Sequence, residues 1–262
     1  MRRHRTQTIR HTSKRFALAV LLLCFASASQ ASTPRTLQTA VYAADYEGWH
    51  IKMTRRLIDR GNGSFRLEAK ASNFLGSITE REDFLWDADM GIQPISYHYT
   101  QKIFGIKKER KVRFDWKNGT AFSDNKGKKR EISLSKGVLG PMTYQLKLQM
   151  DLIAQSNTEV GIINHSFNYD FIGRGKLKEF RFKVLGVENI RQEKTRVTGA
   201  LKMKRDNEGG KRQTTIWFDP ANHYSIASIV QTKDDDRQSL FIVSNKFYPP
   251  FDESPLSVIS GS

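Results

Sequence analysis

Hydrophobic side chains recur at every second position along most of this 262-residue chain, and turn-forming residues interrupt them at short intervals. A period of two is the signature of a strand with one buried face, so the pattern restricts the chain to a β-rich fold. TAVYAADY and WHIKMTRRLID read as the first two strands, and RGNGS (60–64) supplies hairpin turn chemistry after them. Phe65, Leu67, Ala69 and Ala71 then alternate with Arg66, Glu68, Lys70 and Ser72. Farther on, Ile95, Tyr97 and Tyr99 share one face; Val112, Phe114 and Trp116 share another, opposite Lys111, Arg113 and Asp115. After residue 160 the alternation resumes through turns at GRGK, NEGGK and DDD. Ten or more short antiparallel strands of this kind predict a strongly curled sheet or an incomplete β-barrel.

One stretch departs from the pattern. PMTYQLKLQMDLIAQ (141–155) alternates too, yet it has no β-branched residue from Tyr144 to Leu152 and is rich in Leu, Gln, Met and Lys. Its proline stands where a first helical turn tolerates one. A helix over about 142–155 is the favoured reading. It places Tyr144, Leu148 and Leu152 on one side and Met142, Leu146, Met150 and Ile153 roughly opposite, a rod apolar on two faces and suited to the hollow of a curled sheet.

The N-terminus has the layout of a secretory signal: MRRHRTQTIRHTSKR, then the twelve-residue apolar run Phe16–Ser27, then small residues. Twelve is short of the roughly 20 apolar residues a spanning helix needs. Residues 1–31 are expected to be removed after Ala28 or Ala31, leaving one domain over 32–248, a flexible tail over 249–262 and no further transmembrane span. The expected compartment is the periplasm. Cys24 is the sole cysteine, so the processed chain would hold no thiol for disulfides, catalysis or metal binding. Six of the 43 basic residues fall in the signal, leaving 37 against 27 acids, a net +10. Eleven Lys/Arg against three acids lie between Lys102 and Arg130, so the excess is concentrated there.

No catalytic motif emerges. His50, His98, His165 and His223 have no metal-ligand spacing, and no P-loop, GxSxG or GxGxxG is present. GRGK reads as a hairpin turn and Asp234–Asp236 as a solvated turn. Glu80, Glu82 and Asp83 read as an exposed strand face rather than as paired acid/base carboxylates. The expectation is a non-enzyme with no cofactor and no metal.

The order and spacing of several blocks carry a resemblance: YAADYEG, REDFLWDADMGIQPISYHY, VRFDWKNG, GPMTYQLKLQMDL, FNYDFIGRGKLKEFRFKVLG and TTIWFDPANHYSIASIVQ. In these the chain resembles the domain-of-unknown-function family 3108 (DUF3108), exported proteins of Gram-negative bacteria, over nearly all of the processed length. Gly140 stands where the family commonly has an acid, and Ile226 where it tends to have proline. The resemblance implies β-rich architecture and an envelope location, and it implies no reaction.

Two functional expectations follow. The first is a binding or carrier protein for a lipid-like or amphiphilic envelope component, its concave side lined by Trp86, Tyr97, Tyr99, Phe114, Trp116 and Trp217. The second is a module that docks on anionic phospholipid, lipopolysaccharide or acidic glycan through two basic hairpins. Lys107, Lys108, Arg110 and Lys111 belong to one hairpin, and Lys126, Lys128, Lys129 and Arg130 to the next; their tips are expected to converge at one end of the sheet. An apolar groove with a basic rim would combine the two. A monomer is expected. Nucleic acid is a poor partner, because export removes the chain from it and Phe114 and Trp116 face away from Arg113, which leaves no exposed stacking platform.

Overall fold

The computed structural model describes residues 33–249, apart from 47–48, 62, 75, 88, 157–160, 193–194, 207–211 and 235, together with Leu256. The expected signal segment lies outside the described residues, as does the expected tail except Pro249 and Leu256.

Eight hairpin-connected strands come first: β1 (Arg35–Tyr46), β2 (Trp49–Gly61), β3 (Ser64–Asn73), β4 (Gly76–Asp87), β5 (Gly91–Ile103), β6 (Ile106–Asp115), β7 (Thr120–Asn125) and β8 (Lys128–Ser133). Helix α1 (Thr143–Ser156) interrupts them, close to the bounds its composition predicts. Six more strands follow: β9 (Ser166–Gly173), β10 (Lys176–Gln192), β11 (Thr195–Asp206), β12 (Arg212–Asp219), β13 (Ser225–Lys233) and β14 (Asp236–Phe247). All fourteen pair antiparallel in one sheet of order β8-β7-β6-β5-β4-β3-β2-β1-β14-β13-β12-β11-β10-β9. The first and last strands therefore meet in its middle, through pairs such as Ala43 with Phe241.

The sheet curls without closing into a barrel. β8 and β9 are its two edges, and the connection between them runs along β9: the Leu139 amide donates to the Asp170 carbonyl at 2.9 Å, and the Ile172 amide to the Leu139 carbonyl at 3.0 Å. β-bulges tighten the twist along the way. One of them, opposite Asp83 and Phe84, inserts Ile95 as the extra residue of β5 and turns it outward, so Ile95 does not share the face of Tyr97 as strict alternation predicts.

Helix α1 fills the hollow. Leu146, Leu148, Met150, Leu152 and Ile153 are all buried, joined in one core by Leu37, Leu57, Phe84, Phe182, Met203 and Phe218 from strands all round the curl. That is the environment a rod apolar on two faces requires. Leu256 is fully buried in the same core. By strand direction, every odd-to-even hairpin turn lies at one end of the curl, here termed the upper end. The helix descends from that end: Gln149 donates to the carbonyl of His223, in the β12–β13 connection at the lower end, at 2.7 Å.

Candidate functional site

Above the helix N-terminus, at the upper end, the hollow is unfilled. A cavity of about 890 Å³ opens there, with Pro141, Tyr144 and Gln145 beneath it and side chains of β4, β5, β6 and β9–β13 around it. The volume falls within the range of small-molecule sites.

Its floor is aromatic. Tyr144 lies 5.0 Å from Phe171, 5.6 Å from Phe180 and 6.0 Å from Phe182, ring centre to ring centre. The wall is cationic. Arg110, Arg174, Lys178, Arg181, Arg205, Arg212 and Lys233 line the cavity, and among the described residues Glu80, Glu179 and Asp206 are the acids beside them. The inward positions of β10 and β11 explain how cations come to be here: Lys178 shares the face of Phe180 and Phe182, and Arg205 that of Leu201 and Met203. The Arg205 guanidinium lies 4.3 Å over the Phe180 ring, a cation–π contact. Burial makes its charge harder to hold, and the Lys178 ammonium is held below its ordinary pKa by burial and then by Arg174, Arg205 and Lys176. A partly desolvated, mutually repelling set of cations gives the cavity a positive potential.

Glu80 completes the lining. Tyr97 donates its hydroxyl to the Glu80 carboxylate at 2.5 Å, and burial raises the carboxyl pKa despite that bond and the charges of Arg55 and Arg110. Arg110 lies 4.5 Å over the Tyr99 ring, and its buried Nε has no hydrogen-bond partner among the described residues.

Just below, Glu82 is fully buried and accepts from the Met142 amide at 2.6 Å, the Thr143 amide at 3.3 Å and the Thr143 hydroxyl at 2.5 Å. It caps the helix from a different strand. Glu80 and Glu82 therefore do not belong to an exposed face as expected. They share the parity of Phe84, which points into the core, whereas Asp83 faces outward and pairs with Arg66 at 2.7 Å.

Of the aromatic residues expected to line a ligand site, only Tyr97 does so. Tyr99 stands behind Arg110. Trp86, Phe114 and Trp116 lie toward the lower end and pack into the core: Trp86 meets Phe65 edge-on at 6.3 Å, Phe114 stacks with Trp116 at 6.3 Å, and Trp116 donates to the Pro94 carbonyl at 2.7 Å. Trp217 is on the opposite face of the sheet, because it alternates with the inward Ile216 and Phe218. It donates to Glu188 at 2.6 Å under the Lys202 ammonium.

The two basic hairpins do converge. The Lys126 amide donates to the Glu109 carbonyl at 3.0 Å, and Asn125 donates to the Arg174 carbonyl at 3.2 Å, so a third tip, that of β9–β10, joins them. Their side chains divide between faces. By register Lys108, Arg110, Lys128 and Arg130 share the inner face of Val112 and Ser123, whereas Lys107, Lys111 and Lys129 share the outer face and Lys126 occupies a turn. Lys107 also lies 2.8 Å from Glu109, which offsets part of the outer charge.

Fold and cavity thus define an incompletely closed antiparallel barrel plugged by one helix, with a cation-lined chamber above it. The chain belongs to a family described as "Protein of unknown function (DUF3108)", whose model matches residues 43–239. No curated protein matches the chain. Among solved structures it is similar to a beta-barrel-like protein of the DUF1849 family from Brucella abortus, at 8% identity and a TM-score of 0.49, covering 82% of this chain and 98% of that one.

Proposed function

We propose that this protein is a non-catalytic, exported binding protein whose upper cavity holds an anionic amphiphile of the cell envelope. The supporting observation is the pairing of an aromatic floor (Tyr144, Phe171, Phe180) with cations that burial and mutual repulsion destabilise, Lys178 and Arg205 foremost. A phosphate or carboxylate headgroup would relieve that repulsion, while the first part of an attached apolar chain would cover the rings. Because helix α1 fills the rest of the hollow, the cavity suits a headgroup and a short apolar segment rather than two whole acyl chains.

Calorimetric titration with lysophosphatidylglycerol and lysophosphatidylcholine below their micellar concentrations tests this. Binding of the anionic lipid, weaker at high salt, and a much weaker response to the zwitterionic one are expected. Equal affinity for the two, or no binding of either, would overturn the reading.

A further inference from the structure

The hairpin tips around the cavity display residues that two-residue turns ordinarily avoid. Ile103 pairs with Ile106, Asn125 with Lys128 and Gly173 with Lys176, leaving Phe104-Gly105, Lys126-Gly127 and Arg174-Gly175 as the loops. In each loop both residues have positive φ: 48° and 78°, 56° and 83°, 55° and 75°. Asn-Gly is the preferred pair for such turns, because a bulky side chain is strained in the left-handed region. Here Phe, Lys and Arg occupy the strained position at three tips of the upper end, where the β7–β8 tip bonds both to β6 and to the β9–β10 tip.

What they display is suited to a membrane surface. Phe104 is 75% exposed and Ile106 64%, and Phe74, in the neighbouring β3–β4 turn, is 76% exposed. Exposed Lys102, Lys107, Lys108, Lys126, Lys128 and Lys176 surround these apolar tips. Apolar side chains that project beyond a ring of lysines match an anionic bilayer: the rings enter the interface, and the lysines reach back to headgroup phosphates.

We propose that the upper end docks on anionic phospholipid bilayers, with Phe104 and Ile106 inserted and the β7–β8 tip lysines on the headgroups. The surface is separate from the cavity lining apart from Arg174, so docking and cavity binding are separable. The test is flotation of the purified protein with vesicles of phosphatidylglycerol and phosphatidylcholine, against vesicles of phosphatidylcholine alone. Cofloation with the anionic vesicles only is expected. The variant Phe104→Asn/Ile106→Ser/Lys126→Asn shares the wild-type N-terminus and exchanges two strained residues for one that tolerates the turn. It should lose vesicle binding by about tenfold or more while keeping its melting temperature and its binding of soluble lysophosphatidylglycerol. Wild-type protein that fails to float with anionic vesicles, or a variant that floats undiminished, overturns docking. Vesicle binding that persists in a Lys178→Glu/Arg205→Glu variant shows that docking stands without the cavity, and its loss there overturns docking as a separate activity.

Discussion

Gly140 leaves the space that the carboxylate of Glu82 occupies. A Cβ at position 140 would overlap that carboxylate, and the Gly140 amide donates to the Thr143 hydroxyl, which in turn donates to Glu82. Residues 140–143 and strand β4 are thereby locked around one buried acid at the point where the helix enters the hollow. Gly140→Ala should destabilise the protein by about 1–3 kcal/mol, the cost of overpacking a close-fitted site. Urea denaturation measures it, and an unchanged midpoint would show that the carboxylate has room to move.

Glu82 also sets a pH dependence. Burial outweighs its three donors and pushes its pKa from 4.5 up to about 7. The folded state therefore binds this proton more tightly than the unfolded state does. The stabilisation is fully present below pH 4.5 and is lost as pH rises through about 7. A shift of this size corresponds to about 3 kcal/mol. Burial raises the Glu80 pKa as well, so its contribution has the same sign. Denaturation midpoints measured from pH 4 to pH 8 should fall across the window, and Glu82→Gln should flatten the slope.

The helix is held by packing on both faces, since its sequence provides neither acids in its first turn nor bases in its last. Leu152 is fully buried among side chains of the main core. Leu152→Ala should cost about 2–5 kcal/mol, the range for a leucine truncated in a packed core. Thermal denaturation will register it; a loss under 1 kcal/mol would mean that the hollow collapses readily onto the helix.

Lys178 offers a chemical handle on the cavity. Burial and the neighbouring cations hold its ammonium below the ordinary lysine pKa, which raises its neutral, nucleophilic fraction. Limited acetylation followed by peptide mass spectrometry should find Lys178 labelled ahead of Lys107 or Lys129, and lysophosphatidylglycerol should protect it. Uniform labelling would show that the cations are well solvated.

Much of this arrangement was legible in the chain. The alternation of Phe65, Leu67 and Ala69 specified strands, and the leucine-rich, unbranched run after Pro141 specified the helix, because those signals are local. The convergence of the basic hairpins followed from antiparallel connectivity alone. The cavity was not visible, since Lys178, Arg205 and Glu80 come from separate hairpins and meet only when the sheet curls. Glu82 was misplaced for a different reason. A charged side chain suggests exposure, whereas the spacing from Phe84 and Trp86 puts Glu82 on the inward face. Trp217 is the converse case: an aromatic ring suggests the concave lining, whereas alternation with the inward Ile216 and Phe218 puts it on the opposite face. In both cases the parity within the strand carried the correct signal and the residue type did not.

The anion site itself is open to direct observation in a crystal structure of the protein with lysophosphatidylglycerol. The headgroup phosphate should lie within about 3 Å of the Lys178 ammonium or the Arg205 guanidinium, with the first methylenes against Tyr144 and Phe180. A lipid bound elsewhere, or a cavity that stays filled with water at saturating lipid, would show that these cations serve some other purpose.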